Sequence, residues 1–159
     1  MGRGALAVAV TLAAVLAGSA SAQRDVCPHP GTVGGASVLI ECGSAKASVT
    51  FGSTHLALKD GLCTKAAGLF TLAFGDIAAG PPSKHPPNSF QVIAGGGGTK
   101  ASHDGTYSAT VMTTEAGKNY IGDTMKLKLT KNVTAGTVSG TVTWALGNKK
   151  VAVSGSFTC

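Results

Sequence analysis

The segment Met125-Lys126-Leu127-Lys128-Leu129 puts its apolar residues on one side of an extended chain and its lysines on the other. That period of two belongs to a strand with one buried and one wet face. The pattern returns between Thr137 and Leu146. Val138, Val142, Trp144 and Leu146 fall on one side, and Thr137, Ser139, Thr141 and Thr143 on the other. Gly147-Asn148 then reads as a hairpin turn. Beyond it, Val151, Val153 and Phe157 line the inner face of a returning strand.

Shorter runs of the same kind precede this region. Val38–Glu41 and Lys46–Phe51 flank a turn at Cys42-Gly43-Ser44, and His55–Leu58 ends at a turn signalled by Asp60-Gly61. Leu69–Phe74 places Phe70, Leu72 and Phe74 together, and Phe90–Ile93 and Thr106–Thr114 complete the set. No helical period of useful length follows the first 22 residues. Glycine is abundant, at 23 residues, and glutamate occurs only at Glu41 and Glu115, a composition of β-proteins rather than helical bundles. The expected fold is all-β: an antiparallel β-sandwich or flattened barrel of about eight short strands.

Two connections stand out. Gly80–Asn88 contains Pro81, Pro82, Pro86 and Pro87 and reads as a stiff exposed linker, because proline cannot continue a central strand. Gly95–Gly98 is a run of glycines. A phosphate-cradling loop needs a lysine and a hydroxyl in fixed register at the start of a helix, so this run reads as a flexible hairpin tip.

Residues 1–22 read as a cleaved signal peptide. Arg3 supplies the basic start, Ala5–Gly18 an apolar run broken only by Thr11, and Ala20-Ser21-Ala22 the small-residue cleavage site. The run is short for a bilayer-spanning helix, which needs about 20 apolar residues. Ser19 stands where a lipoprotein signal carries its lipid-accepting cysteine, so release rather than lipid anchoring is expected. The domain is then a single one, residues 23–159, secreted or held loosely at the cell envelope, with no transmembrane segment.

All four cysteines, Cys27, Cys42, Cys63 and Cys159, fall in that domain. In an exported chain this implies two disulfides, with three pairings open to sequence reasoning. Cys27–Cys42 with Cys63–Cys159 is the favoured set. The first closes a short loop, and the second ties the chain end to an early strand. A metal site is disfavoured, because no C-x-x-C is present.

No catalytic set emerges. G-x-S-x-G is absent, and paired cysteines leave no thiol nucleophile. His29 and His85 fall in proline-rich loops, His55 begins a strand, and His103 precedes the turn Asp104-Gly105. Several of the seven acids sit beside glycine in apparent turns, and neighbouring loops could bring Asp60 and Asp76 face to face. Asn132-Val133-Thr134 matches a glycosylation acceptor. The expectation is a protein that is not an enzyme and uses no cofactor or metal. The formal net charge is +6, with lysines scattered and Lys126, Lys128 and Lys131 the densest group. Arg24 is the sole arginine after the leader, which argues against nucleic acid and leaves an anionic cell or host surface as the partner class. Among the aromatics, Tyr120 is the main candidate for exposure.

Leu62-Cys63-Thr64-Lys65-Ala66-Ala67-Gly68, followed by Thr71-Leu72-Ala73-Phe74-Gly75, resembles the mycobacterial LpqH-type lipoprotein antigens. Gly136–Thr143 resembles that family's late Thr-Gly-Thr strand, and Thr158-Cys159 its Thr-Cys ending. The resemblance runs from about Lys46 to Cys159. It implies a Cys63–Cys159 bridge, an actinobacterial source, and a cell-envelope or secreted antigen acting in adhesion or host contact without catalysis. Val26–Gly43 and Ser19 depart from the family pattern. A small module binding envelope glycan or lipid is the alternative.

Overall fold

The computed structural model describes residues 29–33, 36–40, 42–78, 89–96 and 98–159, with side chains described for 42–75 and from Ser89 onward. Residues 1–28, Cys27 among them, and the proline-rich stretch 80–88 lie outside them. Ten strands follow one another without a helix among the described residues: β1 His29–Val33, β2 Ala36–Ile40, β3 Ala45–Phe51, β4 Thr54–Ala66, β5 Leu69–Ala78, β6 Ser89–Ala94, β7 Gly105–Glu115, β8 Lys118–Thr130, β9 Ala135–Trp144 and β10 Lys150–Thr158. Eight of them, β3 to β10, close into an antiparallel barrel in the order β5-β4-β3-β10-β9-β8-β7-β6, and β6 pairs back onto β5. The β1–β2 hairpin extends the sheet beyond the barrel by pairing β2 with the far end of β5, Val38 opposite Ala78.

The period of two becomes the inside and outside of this wall. Phe70, Leu72, Phe74, Val92, Val111, Leu127, Leu129, Val138 and Val142 point inward and are fully buried or nearly so. An eight-stranded barrel has an interior that side chains can just fill, and here aromatic rings fill it. Phe70 stacks on Phe157 at 5.6 Å, and Phe51 meets Tyr120 edge-on at 4.9 Å. Glycines make room for them: a Cβ on Gly61 would lie 2.2 Å from the Phe74 ring, and one on Gly136 2.6 Å from that of Phe157. Thr113 is the buried polar side chain among the described residues, and its hydroxyl donates to the Ser89 carbonyl at 2.8 Å. The outward positions carry Lys126, Lys128, Thr137, Ser139, Ser154 and Ser156, all exposed. This polarity is the reverse of a membrane-spanning barrel, whose outer band is apolar.

Bulges re-phase two strands, and each corrects a sequence expectation. Asp60-Gly61 is not a turn but a bulge inside a continuous thirteen-residue β4, with Asp60 at φ 58°. Before it Leu56 and Leu58 pack on the core; after it the odd residues do, so Gly61 faces Phe74 and Cys63 turns inward. The second irregularity lies between Ile121 and Lys126 in β8. Continuing the Met125–Leu129 alternation backward would put Tyr120 outside, but the shift inverts the phase and Tyr120 is 3% exposed. Two further corrections concern ends. β9 stops at Trp144, which is half-buried, and Leu146 sits 85% exposed in a loop running from Ala145 to Lys149 rather than in a two-residue turn at Gly147-Asn148. His29 heads β1 instead of lying in a loop.

Cys63 and Cys159, 96 positions apart in sequence, form a disulfide with Cα atoms 5.6 Å apart. Although β4 and β10 are separated by β3, β3 begins only at Ala45, opposite Gly61, so the bridge spans the gap beyond its end. The Cys159 N–H donates to the Thr134 carbonyl at 2.8 Å, which holds the chain end down. Cys42 is also disulfide-bonded; Cys27, its expected partner, lies outside the described residues.

Candidate functional site

A filled barrel offers ligands its outer wall. One concavity there, about 600 Å³, runs across β4, β3, β10, β9 and β8. Strand register explains its shape. One row of outward side chains reads Ala57, Ser48, Ser156, Thr137, Lys128 from β4 to β8. The next reads Lys46, Thr158, Ala135, Thr130 from β3 to β8. Between Lys46 on β3 and Lys128 on β8 the groove presents short side chains, hydroxyls together with alanines, and most of its open lining is carbon. Lys46 and Lys59 form one wall, Lys128 and Lys131 the other, and no acid lines the groove. With neighbouring strands about 4.8 Å apart, the walls on β3 and β8 stand about 14 Å from each other.

Each wall has a structural origin. Lys128 belongs to the strictly alternating part of β8, so its neighbour Leu129 anchors it from the core. Lys131 opens the β8–β9 turn, where Lys131, Asn132 and Val133 all take left-handed conformations with φ of 57°, 59° and 62°. The Asp104 carboxylate holds that turn by accepting the backbone N–H of Asn132 at 3.2 Å and of Val133 at 2.8 Å. The Thr134 hydroxyl donates to the Lys131 carbonyl at 2.6 Å, and the Lys65 ammonium to the Asn132 carbonyl at 3.4 Å. Lys59 immediately precedes the left-handed Asp60 of the β4 bulge.

The candidate chemical residues do not converge. His55 pairs with the Thr50 hydroxyl at 3.0 Å and His103 with the Ser102 hydroxyl at 3.0 Å; both are exposed, one on β4 and the other ahead of β7. The side chains of His29 and Asp76, and all of His85, lie outside the described residues. Asp104 turns away from His103 toward the β8–β9 turn. Among the described residues no three His, Cys, Asp or Glu side chains come together. Trp144 is not an open stacking platform: the Lys118 ammonium lies 5.7 Å from its ring centroid, and Gly147 packs so closely on the indole that a Cβ there would come within 2.5 Å.

Lys128 and Lys131 belong to the basic cluster visible in the sequence, but Lys46, Lys59 and the hydroxyl floor were not read as a site. The outward Ser and Thr phases of β3, β9 and β10 were the available signal; the strand order that unites them was not.

The class defined by this architecture is a small, closed, disulfide-bridged β-barrel with a packed interior and a cationic outer groove. No family model matches the chain, and neither a curated protein nor a solved structure matches it.

Proposed function

We propose that this chain is an exported, non-catalytic protein of the envelope surface, antigen-like in kind, that works by adhesion through its outer wall. The observation that carries the reading is the packed interior beneath a lysine-walled groove. A barrel filled by Phe70, Phe74, Phe90 and Phe157 leaves recognition to its surface, and the concavity across β4, β3, β10, β9 and β8 is free of acidic lining. The leader-like residues 1–22 and the resemblance to LpqH-type antigens, carried by the Cys63 block and the Thr158-Cys159 ending, point the same way. Exposed lysines in that number favour a partner of negative charge at long range.

The test is sedimentation of the purified full-length product with native-host envelope fragments and with host cells, at low and at raised salt. Co-sedimentation that weakens as salt screens the charges is expected. Absence of the protein from both pellets at low salt would remove the adhesion reading. Intact mass of the protein recovered from a host culture checks export separately: a chain beginning at Gln23 without lipid is the expected species.

A further inference from the structure

We infer that the groove across β4, β3, β10, β9 and β8 binds one linear acidic polysaccharide laid crosswise over the strands, anchored at both lysine walls. The inference rests on the adhesion reading and names its ligand. Three features select this chemistry. Charge comes first: Lys46 and Lys59 face Lys128 and Lys131 with no acid lining the space between them. With their backbones about 14 Å apart, the two walls suit a chain carrying charges along its length better than one small anion. The floor comes second. Ser48, Ser156, Thr137 and Thr158 are exposed on adjacent strands and register with one another, Ser48 opposite Ser156 and Ser156 opposite Thr137. Each hydroxyl both donates and accepts, as sugar hydroxyls do. Shape and composition come third. The groove contains no arginine, and its one aromatic, Phe157, is turned into the core, so bases find nothing to stack on. A flat lipid headgroup layer would touch the lysine tips and leave the hydroxyl floor unused.

The binding is electrostatic and multivalent, so chain length and salt are its signatures. Below the length that reaches both walls, a ligand engages one lysine pair and binds weakly; above it, the second contact becomes intramolecular and affinity rises sharply. Asp60 is the acid nearest one wall in sequence, and Asp104 is engaged by the backbone N–H groups of Asn132 and Val133.

The experiment titrates the full-length secreted protein by calorimetry with galacturonate monomer, size-fractionated oligogalacturonates, neutral dextran, orthophosphate and single-stranded DNA matched in charge. The double variants K46Q/K59Q and K128Q/K131Q remove one wall each, and K149Q/K150Q removes an equal charge where the β9–β10 loop meets β10. All six positions are exposed, and circular dichroism checks that each variant is folded. The expected result is a threshold in oligogalacturonate length, with monomer and dextran silent, and a loss of about tenfold in affinity for long oligomers on removing either wall but not the loop pair. The inference falls if orthophosphate or monomer binds as well as the long oligomer, if DNA binds more tightly, or if K149Q/K150Q weakens binding as much as a wall variant does. It also falls if no oligomer binds. In that case, salt-sensitive co-sedimentation with envelope fragments would leave the adhesion reading standing, and its loss would remove both.

Discussion

Asp104 holds a turn that the chain could not otherwise close at low cost. Three consecutive non-glycine residues in left-handed backbone each cost about 1–2 kcal/mol, and Val133, the last of them, is β-branched and only 2% exposed. The carboxylate offsets this by accepting two adjacent N–H groups, bonds to a charged group being worth about 1.5–3 kcal/mol. Asp104→Ala is expected to lower stability by about 2 kcal/mol in urea denaturation, and Asp104→Asn by less, since the amide keeps one acceptor oxygen. An unchanged midpoint for the alanine variant would mean the turn holds itself. Two other turns carry backbone strain. Ala67-Gly68 and Ala116-Gly117 are two-residue hairpin loops with positive φ at both residues, the type I′ geometry. Alanine is a poor occupant of the first position and asparagine a good one, so Ala67→Asn and Ala116→Asn should each stabilise by about 0.5–1 kcal/mol. The readout is a higher urea midpoint at constant slope; a decrease would show that the exposed methyl makes contacts worth more than the strain.

At the scale of elements, the sequence was legible wherever a strand kept one phase. Met125–Leu129 and Thr137–Val142 are strands with the expected faces, because nothing interrupts their alternation. It was illegible where a bulge reversed the phase, since an extra residue looks in sequence like a turn or like noise. Asp60-Gly61 has the composition of a turn, yet it sits mid-strand and exists to swap faces: without it Cys63 would point to solvent. Deleting Asp60 and Gly61 together is therefore expected to carry the phase of Leu56 and Leu58 onward through β4, to turn Cys63 outward and to separate it from Cys159. Thiol titration of the native, unreduced variant should then find these two cysteines reactive, whereas Asp60→Gly, compatible with φ 58°, should show none. A deletion variant with no reactive thiol would mean that the register slips elsewhere to save the bridge. The same logic explains Tyr120 and the groove. Faces can be read from period two, but neighbours cannot, and Lys46 meets the Lys128 side of the wall only because β10 lies between β3 and β9.

Closure is the property of the whole molecule that makes the rest possible. Pairing β6 onto β5, with Phe90 opposite Phe74, leaves the barrel wall without a free edge, which removes the usual template for aggregation. It also sets the first barrel strand beside the last, Val49 opposite Gly155, so the fold depends on contacts between distant parts of the chain. Loop entropy must be lost before such contacts stabilise anything. The Cys63–Cys159 bridge acts on that term. A closed loop of 96 residues removes about 4–5 kcal/mol of chain entropy from the unfolded state, a large share of the roughly 5–15 kcal/mol that holds a domain together. Replacing both residues, Cys63→Ser with Cys159→Ser, isolates this bridge from the one at Cys42, which chemical reduction would break as well. The double variant should melt on the order of 15 °C below the parent by far-ultraviolet circular dichroism. The loss should appear mostly as slower folding if the β3–β10 seam is already formed in the transition state, and as faster unfolding if it forms last. Either partition is informative, because the groove floor lies on that seam, at Ser48 and Ser156. A variant that melts with the parent would mean that the Cys159 N–H bond to Thr134 and the packing of Phe157 hold the chain end unaided. The entropy argument would then fail for this barrel.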